Sequence, residues 1–280
     1  MIQDIEKMIR MRTSIRTFSN IDIEAEKKQL IVDFMLSNSV GIFGNKVDFY
    51  WIDGGSDEFK EVKLGTYGVI SGTKTFIAGK VGNTDKNFED FGYCMEKLVL
   101  YCAQLNIGTC WMGGTYKKTA FSTAVDLQED EFIPAVTPIG YFETKKRTID
   151  KLFRHIAGSD NRLPFDELFF SEKFLQPLSE KEKDTYHFLL EMTRLAPSAS
   201  NKQPWRVVVN DRMLHFYLKR TPNYNKKMLH SDLQRVDMGI AISHCDLVLN
   251  EKKMPHSWNI QNPLLDPDEL TEYIASCEIH

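Results

Sequence analysis

Residues 196–205 read Ala196-Pro197-Ser198-Ala199-Ser200-Asn201-Lys202-Gln203-Pro204-Trp205. The two prolines restrict the backbone, and the small residues between them let it approach a flat ligand closely. Asn201 and Gln203 add two side-chain amides, each donor and acceptor, which suit the edge of a heterocycle carrying carbonyls and ring N–H groups. Taken alone, the stretch also reads as a capped, proline-bounded loop. Its flanks decide the fold class. Tyr186 to Leu195 has helical spacing before it; Trp205 to Val209 and Met213 to Leu218 read as strands around an Asn210-Asp211 turn after it; Leu233 to Leu249 is a long helix beyond.

The first half of the chain has the same order. Ile2, Ile5 and Ile9, then Leu30, Ile31, Phe34 and Met35, keep i, i+3, i+4 spacing. Phe91, Met95, Leu98, Val99, Cys102 and Leu105 continue it over a long helix, with Gly108 as the expected stop. Strands are expected at Phe49 to Ile52, Thr75 to Ala78 and Ala135 to Tyr141, so the class is α+β with helices and strands interleaved. A shift of 156 pairs Asn45 with Asn201, Lys46 with Lys202 and Phe49 with Trp205; a shift of 147 pairs Gly92 with Gly239 and Trp111 with Trp258. An internal duplication would set two long helices back to back inside one chain, as at the core of a homodimer. Chance alignment of two α+β segments is the competing explanation. Basic residues (Lys145, Lys146, Arg147, Lys151, Arg154), turn residues Gly158 to Asn161, then Pro164 and Pro177 mark a connection. The expected units are residues 1–142, a connecting arm at 143–178, and residues 179–280.

Composition excludes several classes. A chain of 280 residues, 42% hydrophobic and 26% charged, supports a folded core and does not need staples. Its formal charge of −4 supplies no global field for nucleic acid or an anionic membrane, so neither is an expected partner. No apolar stretch reaches the roughly 20 residues of a spanning helix. Met1 to Arg12 lacks the basic start and apolar block of a secretory signal, so a cytoplasmic location is expected. Five cysteines without a C-x-x-C pair, and seven scattered histidines, suggest neither disulfides nor a metal.

Two further segments carry chemistry. In Arg12-Thr13-Ser14-Ile15-Arg16, an extended backbone would project Arg12, Ser14 and Arg16 to one side, two cations and a hydroxyl suited to a phosphate. The same segment reads equally as a solvated basic turn after a helix end. In Ile107-Gly108-Thr109-Cys110-Trp111-Met112-Gly113-Gly114, tandem glycines allow backbone N–H groups to face a ligand, although a glycine pair alone is usually a turn.

Together and in this order, the three segments resemble the nitroreductase-like FMN-dependent family, in particular its branch of single-chain pseudo-dimers, the TM nitroreductase type. The resemblance covers nearly the whole chain. It rests on an R-x-S-x-R signature at Arg12 to Arg16, a P-S-x-x-N-x-Q-P-W signature at Pro197 to Trp205, and the glycine segment at Trp111 to Gly114.

What the resemblance implies is specific. FMN phosphate would be held by Arg12, Ser14 and Arg16, with Arg162 closing the cage. Asn201 and Gln203 would bond the pyrimidine edge, with backbone contacts from Pro197, Ser198 and Ala199. Trp111, Met112, Gly113 and Gly114 would lie near flavin N5 and O4, and Tyr67, Gly68 and Ile70 would touch the ring. NAD(P)H would give hydride to N5, and a small, aromatic oxidised acceptor such as a nitro compound or quinone would take it; no catalytic side chain is required. The alternative is a protein that binds, stores or senses FMN without turnover. The first-half counterpart of the amide loop, Gly41 to Phe49, has lost Pro, Ser and Gln, so one flavin site per chain and a monomer acting as a pseudo-dimer are expected. Competing motifs fail: Gly72 to Lys80 has the wrong glycine spacing for a P-loop, G-x-G-x-x-G is absent, and Cys110 has no nearby histidine for thiol catalysis.

Overall fold

The computed structural model describes residues 2–59, 64–142, 161–224 and 231–280, and its centre is a pair of long helices. In chain order the helices are α1 (Ile5–Met11), α2 (Ala25–Ser37), α3 (Asn87–Gln104), α4 (Lys118–Ala124), α5 (Glu180–Arg194) and α6 (Leu233–Glu251). Helices α3 and α6 pack together through glycines. A Cβ on Gly92 would lie 2.1 Å from the carbonyl oxygen of Val236, and one on Gly239 would lie 1.8 Å from that of Glu89. Only hydrogen at these two positions lets the backbones meet. The pairing of Gly92 with Gly239 in sequence is thus a pairing in space.

A sheet flanks this pair on each side. The strands are β1 (Asp48–Asp53), β2 (Thr75–Gly82), β3 (Gly108–Thr109), β4 (Glu131–Phe132) and β5 (Val136–Gly140), then β6 (Phe169–Ser171), β7 (Trp205–Asn210), β8 (Met213–Lys219), β9 (His256–Asn259) and β10 (Thr271–Ile279). The first sheet has the order β1-β2-β5-β3, with β4 also on β2; the second has the order β6-β7-β8-β10-β9. Without β4 and β6 the two orders correspond strand for strand. Hairpin β7–β8 closes with Asn210 opposite Met213, and Asp211 takes φ 51° in the turn. One apolar cluster runs from Ile77 and Ile139 of the first sheet through Leu98 and Ile240 of the central helices to Val207 and Leu218 of the second. The halves therefore share a core.

The connection between the halves is ordered where it is described. Its strand β6 runs parallel to β7, Phe169 opposite Val207, so this arm adds the edge strand of the second sheet. Helix α5 begins with a capping box in which Ser179 accepts the Glu182 N–H and Glu182 accepts the Ser179 N–H. The basic residues Lys145 to Arg154, Gly158 and the expected boundary at 143 lie outside the described residues. One expected stop is corrected. Helix α3 ends at Gln104 with Leu105 as its C-cap, and the residue in the left-handed conformation is Asn106 (φ 57°); Gly108 is a strand residue opposite Gly140. A Cβ on Gly108 would meet Ile15 at 3.0 Å, so this glycine makes room for the arginine segment.

Candidate functional site

The segment after α1 is extended because its backbone bonds to two others. The Ile15 N–H donates to Thr109 O at 2.8 Å, and the Ser71 N–H donates to Arg16 O at 3.0 Å. Ile15 turns toward Gly108, while Arg12, Ser14 and Arg16 line a cleft of about 540 Å³. That volume suits a small molecule or cofactor, whose sites span roughly 300–1,000 Å³.

The opposite lining comes from the second half. Pro197, Ser198, Ala199 and Asn201 lie on the cleft, joined by Ser200 and Lys202. The loop is held in an unusual shape: Ser200, Asn201 and Gln203 have φ of 51°, 53° and 47°. Left-handed backbone at three non-glycine residues is strained unless its surroundings hold it. The Gln203 N–H donates to Ser198 Oγ at 2.9 Å, and Asn201 Nδ2 donates to Asn161 O at 2.8 Å. Arg162, from the connecting arm, lines the same cleft; its guanidinium donates to Leu195 O at 3.1 Å and to Asn201 Oδ1 at 3.4 Å.

The glycine segment forms a third wall, with Trp111, Met112, Gly113 and Gly114 on the cleft. Met112 exchanges backbone hydrogen bonds with Val136, each 3.0 Å, which fixes the segment on β5. Gly113 has a packing reason as well: a Cβ there would lie 2.6 Å from Leu233 Cδ1. Trp111 is anchored by its indole N–H, which donates to Glu96 Oε2 at 2.7 Å.

Four expected residues are placed elsewhere. Gln203 is buried, its Oε1 accepts the Leu163 N–H at 2.9 Å, and its Nε2 donates to Asn201 O at 3.2 Å, so its amide braces the loop from behind. Its side chain is outside the cleft lining because both ends are engaged by backbone. Tyr67 is 75% exposed, and neither it, Gly68 nor Ile70 is on the cleft; the residue of that stretch on the wall is Val69. The stretch is a turn, with Tyr67 at φ 49° and Gly68 at φ 76° and the Val69 N–H donating to Thr66 O at 2.9 Å, and it is this turn that presents Val69.

The floor was not foreseen. Leu233, Val236, Asp237 and Ile240, at i, i+3, i+4 and i+7, put one face of α6 on the cleft. Asp237 is 2% exposed; its Oδ1 accepts the Ala199 N–H at 2.9 Å, and among the described residues its Oδ2 has no hydrogen-bond partner. Burial pushes its carboxyl well above the usual carboxylate range, Ala199 opposes this, and Asp232 adds to it. The signal was available, since the shift of 147 that joins the glycines also joins Asp90 to Asp237. Apart from Asp237, the titratable charges among the cleft-lining residues are the cations Arg12, Arg16, Arg162 and Lys202. A chain of net charge −4 thus gathers four cations on one cleft, the mark of an anionic ligand.

Among the described residues no group of His, Cys, Asp and Glu could hold a metal ion, all five cysteines are free and buried, and no helix is long and apolar enough to cross a membrane.

A nitroreductase-like α+β fold with this cleft between its halves defines an oxidoreductase class. A family model described as "Putative TM nitroreductase" matches residues 4–249, and the chain belongs to this family. A Thermotoga maritima MSB8 crystal structure described as a "putative nitroreductase" covers 100% of this chain and 95% of its own, at 21% identity and a TM-score of 0.62. That likeness is one of fold. A Bacteroides thetaiotaomicron structure described as "Putative NADH dehydrogenase/NAD(P)H nitroreductase" covers 52% of this chain and 90% of its own, at 18% identity and a TM-score of 0.43. A Desulfovibrio desulfuricans structure described as a "putative nitroreductase in complex with fmn" covers 54% and 95%, at 18% identity and a TM-score of 0.40. A comparison with curated proteins finds no match.

Proposed function

We propose that the cleft binds one FMN per chain and that the protein is an NAD(P)H-dependent flavin oxidoreductase acting on a small aromatic oxidised acceptor. The observation that carries this reading is the convergence of Arg12, Ser14 and Arg16 from the first half with Pro197 to Lys202 from the second on one cleft. The residues present fit the cofactor. Arg12 Nε is buried and, among the described residues, makes no hydrogen bond; its nearest carboxylate oxygen, on Glu96, is 3.9 Å away. The guanidinium is thus poorly compensated by the protein, as suits a site that receives a phosphate.

When bound, FMN supplies hydride acceptance from the nicotinamide and delivery to the acceptor. Arg12, Ser14, Arg16 and Arg162 would hold the phosphate. The charge of the three arginines would also favour the negative charge that accompanies reduction. Gly113 and Gly114 would present bare backbone to a flat ring on this wall, and Leu233 and Ile240 give the floor an apolar surface.

The first half offers no second site of this kind, in our reading. Its loop is closed onto α3: Asp90 accepts the N–H groups of Phe43 and Asn45 at 2.9 and 2.8 Å, and the Asn45 side chain at 2.9 Å. We further propose that units 1–142 and 179–280, joined by the arm, are one pseudo-dimer that works as a monomer.

Flavin extraction from the purified protein, followed by anaerobic addition of NADH or NADPH and then a quinone, tests the reading. One FMN per chain, bleached by nicotinamide and recoloured by quinone, supports it. Two FMN per chain would refute the single site, and a yellow protein that no nicotinamide bleaches would make it a binding protein instead.

A further inference from the structure

We propose that Asp237 is a ligand-binding residue, a neutral carboxylic acid whose O–H donates to an acceptor oxygen of the FMN in the cleft. This rests on the reading that the cleft holds FMN. The internal pseudo-symmetry supplies the argument. Asp90 and Asp237 occupy corresponding places on α3 and α6, two residues before Gly92 and Gly239 at the helix crossing. Each accepts the corresponding loop N–H through Oδ1, Phe43 for Asp90 and Ala199 for Asp237, both at 2.9 Å.

The two carboxyls differ at the other oxygen. Asp90 Oδ2 accepts from the Asn45 backbone and side chain, so three donors surround the group. Asn201, the counterpart of Asn45, is turned away with φ 53°; its N–H donates to Ser198 O and its side chain to Asn161 O. The loop thus touches Asp237 through Ala199 alone, and the buried Asp237 Oδ2 is left without a protein partner among the described residues, on a residue that lines the cleft. A buried polar atom with no partner costs about 1–3 kcal/mol, so a ligand that supplies one gains affinity.

The surroundings select the neutral form. On the same helix Asp232 is a like charge, engaged with Arg220. The Tyr224 phenol is neutral and bonded to Ser200. On the facing helix Glu89 is paired with Arg235 and Lys86. Arg12, Arg16, Arg162 and Lys202 share the cleft; burial and the Asp232 charge push the Asp237 carboxyl well above the usual carboxylate range, against the Ala199 N–H. An acid O–H needs an acceptor; FMN carries them on phosphate, ribityl chain and ring, whereas an ionised Asp237 would repel the phosphate.

The test is FMN affinity of the full-length, flavin-stripped protein, read by quenching of flavin fluorescence from pH 5.5 to 8.5. Asp237→Asn keeps an acceptor for Ala199 and a donor for the ligand. At pH 6 it is expected to bind FMN within about threefold of wild type, and Asp237→Ala more than tenfold more weakly. Any pH dependence of the wild-type to Asp237→Asn ratio is expected as a loss of wild-type affinity toward higher pH; the ratio of the two cancels titration of the FMN phosphate itself. An Asp237→Asn protein as weak as Asp237→Ala, an Asp237→Ala protein as tight as wild type, or a ratio that moves in the wild type's favour as pH rises, overturns the proposal. A wild type that is folded and binds no FMN at any pH overturns the cleft reading itself, a separable result.

Discussion

Glu96 and His244 face each other across the central helix pair, His244 Nε2 lying 3.1 Å from Glu96 Oε1 with both side chains fully buried. His244 Nδ1 is 2.9 Å from Met192 O, which only accepts, so Nδ1 carries a hydrogen. The contact at Nε2 then needs a proton of its own, shared between imidazole and carboxyl. The same carboxyl holds the Trp111 indole and stands beside Arg12, so one residue of α3 reaches two walls of the cleft and the other half of the chain.

Glu96→Gln is expected to be nearly neutral, because its amide oxygen can accept the Trp111 N–H while its NH2 donates to His244. Glu96→Ala leaves both partners buried and unpaired, and is expected to lower stability by about 2–4 kcal/mol in urea unfolding. Equal losses for the two variants would refute this arrangement.

The helix crossing predicts a second asymmetry. Alanine is a better helix former than glycine by about 1 kcal/mol, yet Gly92→Ala and Gly239→Ala should each destabilise, since the new Cβ meets a backbone carbonyl that cannot move alone. Overpacking of this kind costs about 1–3 kcal/mol beyond the propensity gain. Gly82, at the end of β2, has nothing within 4 Å of a built Cβ and serves as the control. Thermal unfolding should lower both helix variants and spare Gly82→Ala.

Arg16 and Gln203 should separate affinity from stability. Arg16→Ala removes one charge-assisted contact of about 1.5–3 kcal/mol to a phosphate, so FMN affinity should fall at least tenfold. Gln203→Ala leaves the buried Leu163 N–H without its partner, so the midpoint itself should fall, by about 1–2 kcal/mol. An Arg16→Ala protein with unchanged FMN affinity would remove Arg16 from the phosphate site.

Sequence spacing reached the long elements and the three cleft segments because each has a local cause: helical periodicity in Phe91 to Leu105, prolines around residues 198–203, arginines at alternate positions. What it missed depends on partners far along the chain. Strand β10 (Thr271–Ile279) is secured by β8 and β9, and two-residue β3 exists only because Gly108 meets Gly140. The start of α5 lay in plain view as Ser179 with Glu182, a capping signal that the apolar spacing from Tyr186 obscured. Gln203 looked like a ligand amide because amides suit heterocycles; which way it faces is decided by the Leu163 backbone, forty residues away.

The same substitution should have opposite consequences at Asp90 and Asp237. Asp90 receives donors at both oxygens, so Asp90→Asn must turn an NH2 toward an N–H and should cost about 1–3 kcal/mol. Asp237 receives a donor only at Oδ1, and Asp237→Asn sets its NH2 where the acid O–H stands. Burial holds the folded pKa of Asp237 above its unfolded value. As pH rises through about 4, the unfolded chain therefore releases a proton that the folded chain keeps, and wild-type stability declines from there until the folded acid also ionises. Asp237→Asn lacks this loss. Urea unfolding without added FMN at pH 4.5, 6 and 7.5 should show the variant gaining on wild type as pH increases, with Asp90→Asn below wild type throughout. A difference between Asp237→Asn and wild type that stays constant over this range would place the acid in its ionised form and remove the donor from the cleft wall.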